Sequence, residues 1–239
     1  MTHFADADAP DLAFAREQLR RFEEVRRQAD DEGIHFALVH AANSAAAMYL
    51  PESRFDMVRT GIVLSGHSPT PDAPPTLQLQ HALTLRTRLA RVFRVDAGDS
   101  VGYGRTWTAA KPGFVGLVPV GYADGYSRSL SNRAEVLVRG RRCPVIGRVS
   151  MDQFTVDLSA LPEVAEGDEV VLIGRQGSEE ITADELARML GTISYEVLCG
   201  LSARVPRHYF HDGKPIEVCN LLGCSPTLDR PRARKELSR

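Results

Sequence analysis

Two clusters near the start of the sequence contain basic, hydroxyl and amide side chains at the ends of helix-like or strand-like segments. His3 is followed by two carboxylates within residues 2–8, and Asn43-Ser44 stands where a strand-like run meets the start of a helix. Hydroxyl and backbone N–H groups at such a junction bind anions, phosphate above all. On pattern alone, a solvated turn and an ordinary helix cap explain the same residues.

Further along the sequence, two residues with reactive side chains lie close to glycines, where a ligand could approach the backbone. Arg59 follows a second strand-like run and precedes Gly61-Ile62, so its guanidinium is a candidate for contact with a ligand. Tyr103 stands between two glycines, on a bare stretch of backbone that a substrate could approach. A surface ion pair and a hairpin bend with an aromatic residue are the alternatives for these two positions.

Two further segments complete the candidates. Tyr122 lies in Gly-Tyr-Ala-Asp-Gly-Tyr, and Met151 and Asp152 lie in Gly-Arg-Val-Ser-Met-Asp-Gln. The alternative for a lone methionine is a core position. The sequence contains no P-loop, no dinucleotide-binding glycine pattern, no HExxH and no GxSxG, so the generic motifs assign no chemistry to it.

Composition narrows the class of protein. The 239 residues carry a net charge of −2 and are 43% hydrophobic and 25% charged, which is typical of a globular chain. This charge does not favour nucleic-acid binding, and no apolar run reaches the length of a membrane span. The first residues do not resemble a secretory signal. The four cysteines form no CxxC pair, which predicts reduced thiols, no metal site and a cytoplasmic location.

The elements that must position these residues change character along the chain. Residues 1–66 carry a helical pattern followed by strand, helix and strand patterns, at residues 11–33, 35–40, 45–50 and 55–58. Strand, helix and strand in this order predict an α/β segment with parallel strands. Four prolines, with serine and threonine beside them, then predict a linker over residues 67–77.

The rest of the sequence reads as a β-rich domain over residues 78–223. Apolar alternation predicts strands at residues 83–95, 114–120, 135–138, 145–149, 154–158 and 169–173. The capping box Thr182-Ala-Asp-Glu185 predicts one helix, and a second apolar helix is expected from Ser194. Residues 224–239 are polar and rich in arginine, and we expect them to be disordered.

Taken together and in this order, the clusters resemble the motifs of bacterial alanine racemases, a family of fold-type III pyridoxal phosphate enzymes. The similar segments are HFADAD at residues 3–8, HAANSAA at 40–46, VRTGI at 58–62, YGRTW at 103–107, GYADGY at 121–126, GRVSMDQ at 147–153, and the stretch from Tyr195-Glu196 to Tyr209. The resemblance implies an α/β-plus-β fold. The last part of a (β/α)8 barrel would precede a C-terminal β-rich domain.

The resemblance also implies catalytic roles. Racemisation of alanine needs a cofactor that spreads the charge left at the α-carbon and two bases on opposite faces. The family uses a lysine on one face and a tyrosine on the other, and Tyr103 matches the tyrosine. His3, Arg59 and His40 match residues that favour the reactive form of that tyrosine. Arg59 also matches the arginine that faces the pyridine nitrogen.

The remaining matches imply binding roles and an assembly. The expected phosphate contacts are Ser44, Gly61, Ile62 and Tyr195. Met151 matches a backbone contact to the substrate carboxylate, and Tyr122 and Asp152 match the entrance to the active site. In the family the β-domain of a second subunit donates residues to each site, which implies a homodimer with shared active sites acting on alanine.

The anchoring lysine is not among these matches. The three lysines are Lys111, Lys214 and Lys235, and none lies in a segment like the cofactor-lysine motif of the family. We therefore expect that this chain lacks the N-terminal part of the family, which carries that lysine. Two other interpretations stay open: a catalytically silent remnant or partner of the same fold, and a racemase for another amino acid.

Overall fold

The computed structural model describes residues 1–70, 77–161 and 163–226, which form two compact units divided between Thr84 and Leu85. The predicted linker lies partly outside these residues, at 71–76. The chain after it still belongs to the first unit, because the Ala82 N–H donates to the Ser65 carbonyl at 3.1 Å. The boundary between the units therefore follows the proline-rich stretch instead of coinciding with it.

The described residues of the first unit form two α-helices, α1 (Ala13–Asp31) and α2 (Ser44–Tyr49). Helix α2 begins after Asn43, whose side chain accepts the Ala46 N–H at 2.9 Å as an N-cap. Short 3-10 turns cover Pro51–Ser53 and Ile62–Ser65. One apolar cluster joins these elements, and its buried members are Phe4, Ala7, Ala15, Leu19, Ala41, Ala42, Ala45, Ala46 and Leu50.

The two strands predicted in the first unit are not regular strands. The described residues of this unit pair there only at a parallel bridge between His40 and Met57. Phe36 and Leu38 remain largely exposed, and a parallel strand is stable when neighbours cover it on both sides. The prediction of strands at residues 35–40 and 55–58 is therefore wrong in extent, although the pairing that does form is parallel.

The second unit begins with strands that we number in chain order. Their bounds are β1 (Leu85–Arg88), β2 (Arg91–Val95), β3 (Ser100–Val101), β4 (Trp107–Thr108), β5 (Gly113–Val118), β6 (Glu135–Val138), β7 (Arg141–Ile146), β8 (Phe154–Asp157), β9 (Glu169–Gln176) and β10 (Glu179–Ile181). Three 3-10 turns lie between them, at Tyr103–Arg105, Tyr122–Asp124 and Arg128–Leu130. The strands predicted from residue 114 onward overlap β5 to β9.

One antiparallel sheet contains most of these strands, in the order β1-β9-β6-β7-β8-β5-β2, with β10 beside β9. The first and last strands of this order, β1 and β2, are separated in the chain only by Leu89 and Ala90. The Leu89 N–H donates to the Asp168 carbonyl and the Ala90 N–H to the Leu117 carbonyl, each at 2.9 Å. The sheet therefore curls until its two ends meet.

This connection corrects the prediction of a single strand over residues 83–95. The apolar alternation is continuous through Leu89, which is buried, but the chain changes its partner there. Strand β1 pairs with β9, whereas β2 pairs with β5. The buried core of the second unit consists largely of branched aliphatic side chains from these strands, among them Val115, Val118, Val136, Leu137, Val156, Val170 and Leu172.

Two helices follow the sheet, α3 (Ala183–Leu190) and α4 (Ser194–Cys199). Both agree with the sequence prediction. Helix α3 begins after Thr182, whose hydroxyl accepts the Glu185 N–H at 3.0 Å. None of the helices in the described part of the chain is both long and apolar enough to cross a membrane.

A second, three-stranded sheet ends the described chain and was not predicted. Its antiparallel strands are β11 (Arg207–His211), β12 (Lys214–Asn220) and β13 (Gly223–Pro226). Residues 224–226 belong to β13, because the turn at Leu221-Leu222 returns the chain onto β12. The prediction of disorder from residue 224 is wrong for these three residues, and residues 227–239 lie outside the described residues.

The β12–β13 hairpin also corrects the prediction of four reduced thiols. Cys219 and Cys224 face each other across the hairpin with their Cα atoms 4.0 Å apart, and a disulfide joins them. The turn brings together two cysteines that the spacing alone did not pair. The free cysteines are Cys143, which is buried, and Cys199, which is exposed.

Candidate functional site

Arg59 is the centre of a hydrogen-bonded cluster in the first unit. Its Nη1 contacts Nδ1 of His40 at 2.8 Å, and its Nη2 contacts Nδ1 of His3 at 2.9 Å. Nη2 also donates to the carbonyl oxygens of Thr2 and Ala41 at 3.0 and 3.1 Å. These partners come from two separate segments of the chain, so the guanidinium is held in a fixed orientation.

The protonation of both histidines follows from the chemistry of arginine. A guanidinium only donates hydrogen bonds and keeps its protons in proteins. The Nδ1 atoms of His3 and His40 must therefore accept the hydrogen bonds from Arg59, which leaves Nε2 of each ring as the donor. Partial burial and the charge of Arg59, with a smaller contribution from the terminal amino group, lower the pKa of His40.

Ser44 and Gly61 form a second polar position in the first unit. Ser44 is buried, at 5% exposure, and its hydroxyl accepts the Gly61 N–H at 2.9 Å. A Cβ added at Gly61 would meet no atom within 4 Å, so the backbone is open on that side. Ile62 starts the next 3-10 turn. A hydroxyl beside open backbone can hold a small anion such as a phosphate.

The second unit has a groove of about 460 Å³ that brings four predicted site residues together. Tyr103, Tyr122, Met151 and Asp152 all line it, beside residues that the sequence did not single out: Arg128, Arg148, Val149, Ser150 and Gln153. Tyr103 is 75% exposed. Its hydroxyl is therefore available to a molecule that approaches this unit.

Backbone geometry explains why Tyr103 stands out from the surface. Gly102 and Gly104 have φ values of 75° and 71°, a region that glycine adopts without strain. A Cβ at Gly102 would lie 3.1 Å from the Arg148 backbone nitrogen. The two glycines thus allow a tight turn that packs against residues 147–148 and projects the tyrosine.

Asn132 fastens this turn and was missed by the sequence analysis. Its Oδ1 accepts the Gly147 N–H at 2.6 Å, and its Nδ2 donates to the Thr106 hydroxyl at 3.1 Å. It therefore links the segment after Tyr103 to the start of the segment that contains Met151. The only local signal is that asparagine tolerates the left-handed conformation that it adopts here, with a φ of 56°.

Met151 is held by the turn that contains Tyr122. The Tyr122 N–H donates to the Ser150 carbonyl and the Ala123 N–H to the Met151 carbonyl, each at 3.0 Å. A Cβ at Gly121 would lie 2.3 Å from both carbonyl oxygens. The carbonyl of Met151 is thus engaged within the protein, whereas its side chain is more than half exposed.

Arg204 links the segment that contains Tyr122 to the segment that contains Met151. The sequence analysis did not single it out as a site residue. Its Nε donates to Oδ1 of Asp124 at 2.7 Å and its Nη2 to Oδ1 of Asp152 at 2.5 Å. The other oxygen of Asp124 accepts the Gly121 N–H at 2.8 Å. These contacts fix Asp152 at the groove. Tyr195 lies on α4 and is not among the residues that line the groove.

Comparison with known protein families adds to this geometry. The family model for the alanine racemase C-terminal domain matches residues 82–209, and the model for the alanine racemase N-terminal domain matches residues 1–69. This chain belongs to the alanine racemase family. The resemblance to alanine racemases and the predicted fold class, the last part of a barrel followed by a β-rich domain, are confirmed.

Curated alanine racemases are similar along most of this chain. The alanine racemase of Symbiobacterium thermophilum is 52% identical over 208 residues, which are 87% of this chain and 55% of that protein. That of Carboxydothermus hydrogenoformans is 49% identical over 209 residues and is covered to 57%. The chain thus spans little more than half the length of the curated alanine racemases that it matches.

Solved alanine racemase structures agree with the fold. The Bacillus anthracis alanine racemase with bound L-Ala-P has a TM-score of 0.87 and 40% identity, and the similarity covers 92% of this chain and 57% of that one. The alanine racemase from Clostridium difficile 630 in complex with cycloserine has a TM-score of 0.85 and 35% identity, with 92% and 58% covered.

Proposed function

We propose that this chain supplies the second half of a pyridoxal-phosphate-dependent alanine racemase. The reaction interconverts L-alanine and D-alanine by proton transfer between two bases and provides D-alanine for peptidoglycan in the cytoplasm. The observation that carries the proposal is the Arg59 cluster, in which an arginine that cannot release its proton is held by His3 and His40. Such an arrangement suits contact with a cofactor nitrogen that must stay unprotonated.

The polar groups of the first unit fit pyridoxal phosphate. Ser44 and the open backbone at Gly61 offer a hydroxyl and unobstructed space for the phosphate. We infer that Ile62 and Tyr195 contribute to the same phosphate contacts. When bound, the cofactor supplies an electron sink for the charge left at the α-carbon. Arg59 would donate a hydrogen bond to the ring nitrogen but would not transfer its proton. The ring nitrogen would therefore stay unprotonated, which limits side reactions such as transamination.

Tyr103 is proposed as the base on one face of the substrate. Its exposed hydroxyl would take the α-proton of L-alanine, and a lysine outside this chain would act on the opposite face. His3, Arg59 and His40 would favour the reactive form of the tyrosine. We infer a homodimer in which one subunit presents Tyr103 and Met151 to the active site of the other.

The groove residues support a role in substrate binding. Only a donor can contact a carboxylate favourably, so a backbone contact from Met151 must use its N–H. The Ala123 N–H already engages the Met151 carbonyl, which is consistent with that orientation. Tyr122 and Asp152 line the same groove and would form the entrance to the active site. We propose alanine as the substrate.

The test adds the part of the relatives that this chain does not span. Residues 1–239 are expected to be inactive alone, because none of their lysines lies in a cofactor-lysine motif. Activity should appear when the N-terminal half of the Symbiobacterium thermophilum alanine racemase is fused upstream or supplied as a second chain. Absence of activity in a folded, cofactor-loaded assembly would favour a silent remnant, and preference for another amino acid would favour a different racemase.

Tyr103→Phe then separates the two faces. Removing a general base costs about 10²- to 10⁴-fold, and racemisation should fall by that factor. In heavy water the variant should still exchange the α-proton of D-alanine while losing exchange from L-alanine. Tyr209→Phe is the matched control, since Tyr209 is also exposed but lies on β11. If Tyr103→Phe keeps more than about a tenth of the rate, its assignment as second base is wrong.

A further inference from the structure

Three metal-binding side chains share one face of the β12–β13 hairpin. Cys219 and Cys224 are direct register partners, and Glu217 lies two residues before Cys219 on the same strand. Side chains two residues apart on a strand point to the same face. One carboxylate oxygen and the two sulfur atoms all lie within 4.8 Å of one another. The cysteine spacing alone predicted no metal site, and the hairpin adds a carboxylate to the pair.

We propose that reduction of the Cys219–Cys224 disulfide converts this hairpin into a zinc site. A small thiol reductant supplies two electrons, the S–S bond breaks, two thiols form on the protein, and the reductant becomes a disulfide. When zinc binds, each thiol releases its proton to solvent and forms a Zn–S bond. Thiolates bind Zn²⁺ strongly, and Glu217 supplies a third ligand.

The spacing of the ligand atoms fits zinc. Zinc binds thiolate sulfur at about 2.3 Å and carboxylate oxygen at about 2.0–2.2 Å, so its ligands lie about 4 Å apart or less. The three ligand atoms here are within 4.8 Å of one another. The two sulfur atoms are bonded to each other in the disulfide, so side-chain rotation must move them apart after reduction and bring the Glu217 carboxylate towards them. Four residues separate the cysteines, which is within the range of zinc-binding pairs. Water would occupy the fourth position.

Charge around the hairpin favours the bound ion. Two thiolates and one carboxylate carry three negative charges, of which zinc cancels two. Arg207 on β11 is the register partner of Cys219 and lies on the same face. Its positive charge offsets the one that remains.

The disulfide is accessible to a reductant. Cys224 is exposed and Cys219 is half-buried, so a thiolate from solvent can attack the Cys224 sulfur. Exposed disulfides are more readily reduced than buried structural ones. The bond closes a loop with a sequence separation of only 5, and short loops gain least from a cross-link. Opening the bond should leave the fold of the second unit intact.

Zinc titration by calorimetry tests the proposal on the full chain. The chain reduced with a phosphine should bind one Zn²⁺ and release protons, whereas the oxidised chain should not bind at this site. Cys224→Ser and Glu217→Gln should each weaken binding by more than about 10-fold, the loss expected even for an outer-shell partner. Cys199→Ser is the matched control and should bind as the parent does. Equal binding by the oxidised chain, or by Cys224→Ser, overturns the proposal.

A second measurement needs no variant. Reduced wild-type chain is treated with iodoacetamide with and without zinc, and each cysteine is followed by mass spectrometry. Zinc should slow alkylation of Cys219 and Cys224 and leave that of the exposed Cys199 unchanged. Equal alkylation of the pair with and without zinc overturns the proposal, even if the variants fail to fold. Protection of Cys199 as well would show non-specific binding and would also overturn it.

Discussion

Replacement of Gly121 by alanine should destabilise the second unit through a clash with backbone. Gly121 has φ −148°, which any residue adopts, so the effect comes from space alone. Its new Cβ would lie 2.3 Å from the carbonyl oxygens of Ser150 and Met151. Ordinary contacts are about 3.5 Å, so the two segments would have to separate by about 1 Å. Both hydrogen bonds from Tyr122 and Ala123 would weaken.

The magnitude follows from these contacts. Two hydrogen bonds are worth about 0.5–1.5 kcal/mol each, and overpacking adds about 1–3 kcal/mol. We therefore expect a loss of about 2–6 kcal/mol in the free energy of unfolding. Gly113→Ala is the matched control, because its Cβ would meet only the Ser159 side chain, at 2.1 Å from the oxygen. That side chain can rotate away at the cost of one hydrogen bond, which its hydroxyl accepts from the Phe114 N–H at 3.2 Å, so the loss should stay within about 1.5 kcal/mol.

The assay uses the single tryptophan of the chain. Trp107 lies on β4, so its fluorescence in a urea titration reports unfolding of the second unit. The midpoint should fall for Gly121→Ala with an unchanged slope, which separates stability from compactness. A loss below about 1 kcal/mol for Gly121→Ala, or an equal loss for both variants, would refute the close approach of the two segments.

Three further predictions use the same titration. Thr182→Ala should cost about 1 kcal/mol by removing the cap on the Glu185 N–H, whereas Thr182→Ser should not. Arg142→Ala should lower the free energy of unfolding by about 1–3 kcal/mol at neutral pH, because it leaves three glutamates without their ion-pair partner. The loss should shrink in acid, where the glutamates are protonated, and a loss that does not depend on pH would contradict this explanation. Burial, and to a smaller extent nearby carboxylates, raise the pKa of the Cys143 thiol from 9.0 to about 11. The free energy of unfolding should therefore fall as the pH rises from 9 towards 11. If Cys143→Ala shows the same fall over this pH range, the thiol is not its cause.

Local signals in the sequence predicted the helices well. The caps at Asn43 and Thr182 act on N–H groups three residues away, so the pattern and the contact lie in one short segment. The motif at Tyr103 is also local, since two glycines set its backbone. The contacts of Arg204 span 80 and 52 residues. No spacing rule predicts such pairs, and arginine is common on any surface.

The last sheet was missed for a different physical reason. Every residue of β11 is exposed, so neither face carries the apolar alternation that predicts a strand. In the first unit the opposite error occurred. The apolar runs at residues 35–40 and 55–58 have strand composition, but regular strands also need paired neighbours. Composition therefore predicted two strands, whereas the described residues form only the single parallel bridge between His40 and Met57.

The meeting of β1 and β2 has a consequence for behaviour at high concentration. The end strands of an open sheet present unpaired N–H and carbonyl groups, which another chain can bind to begin aggregation. Here the two-residue connection Leu89-Ala90 joins the two end strands along the chain, so the edges of β1 and β2 lie together at this turn and not at opposite ends of an open sheet. The same closure joins residues as distant as Leu85 and Ile173, and such pairings form slowly. The second unit should thus be less prone to edge-to-edge strand pairing once folded and be most vulnerable to it during folding.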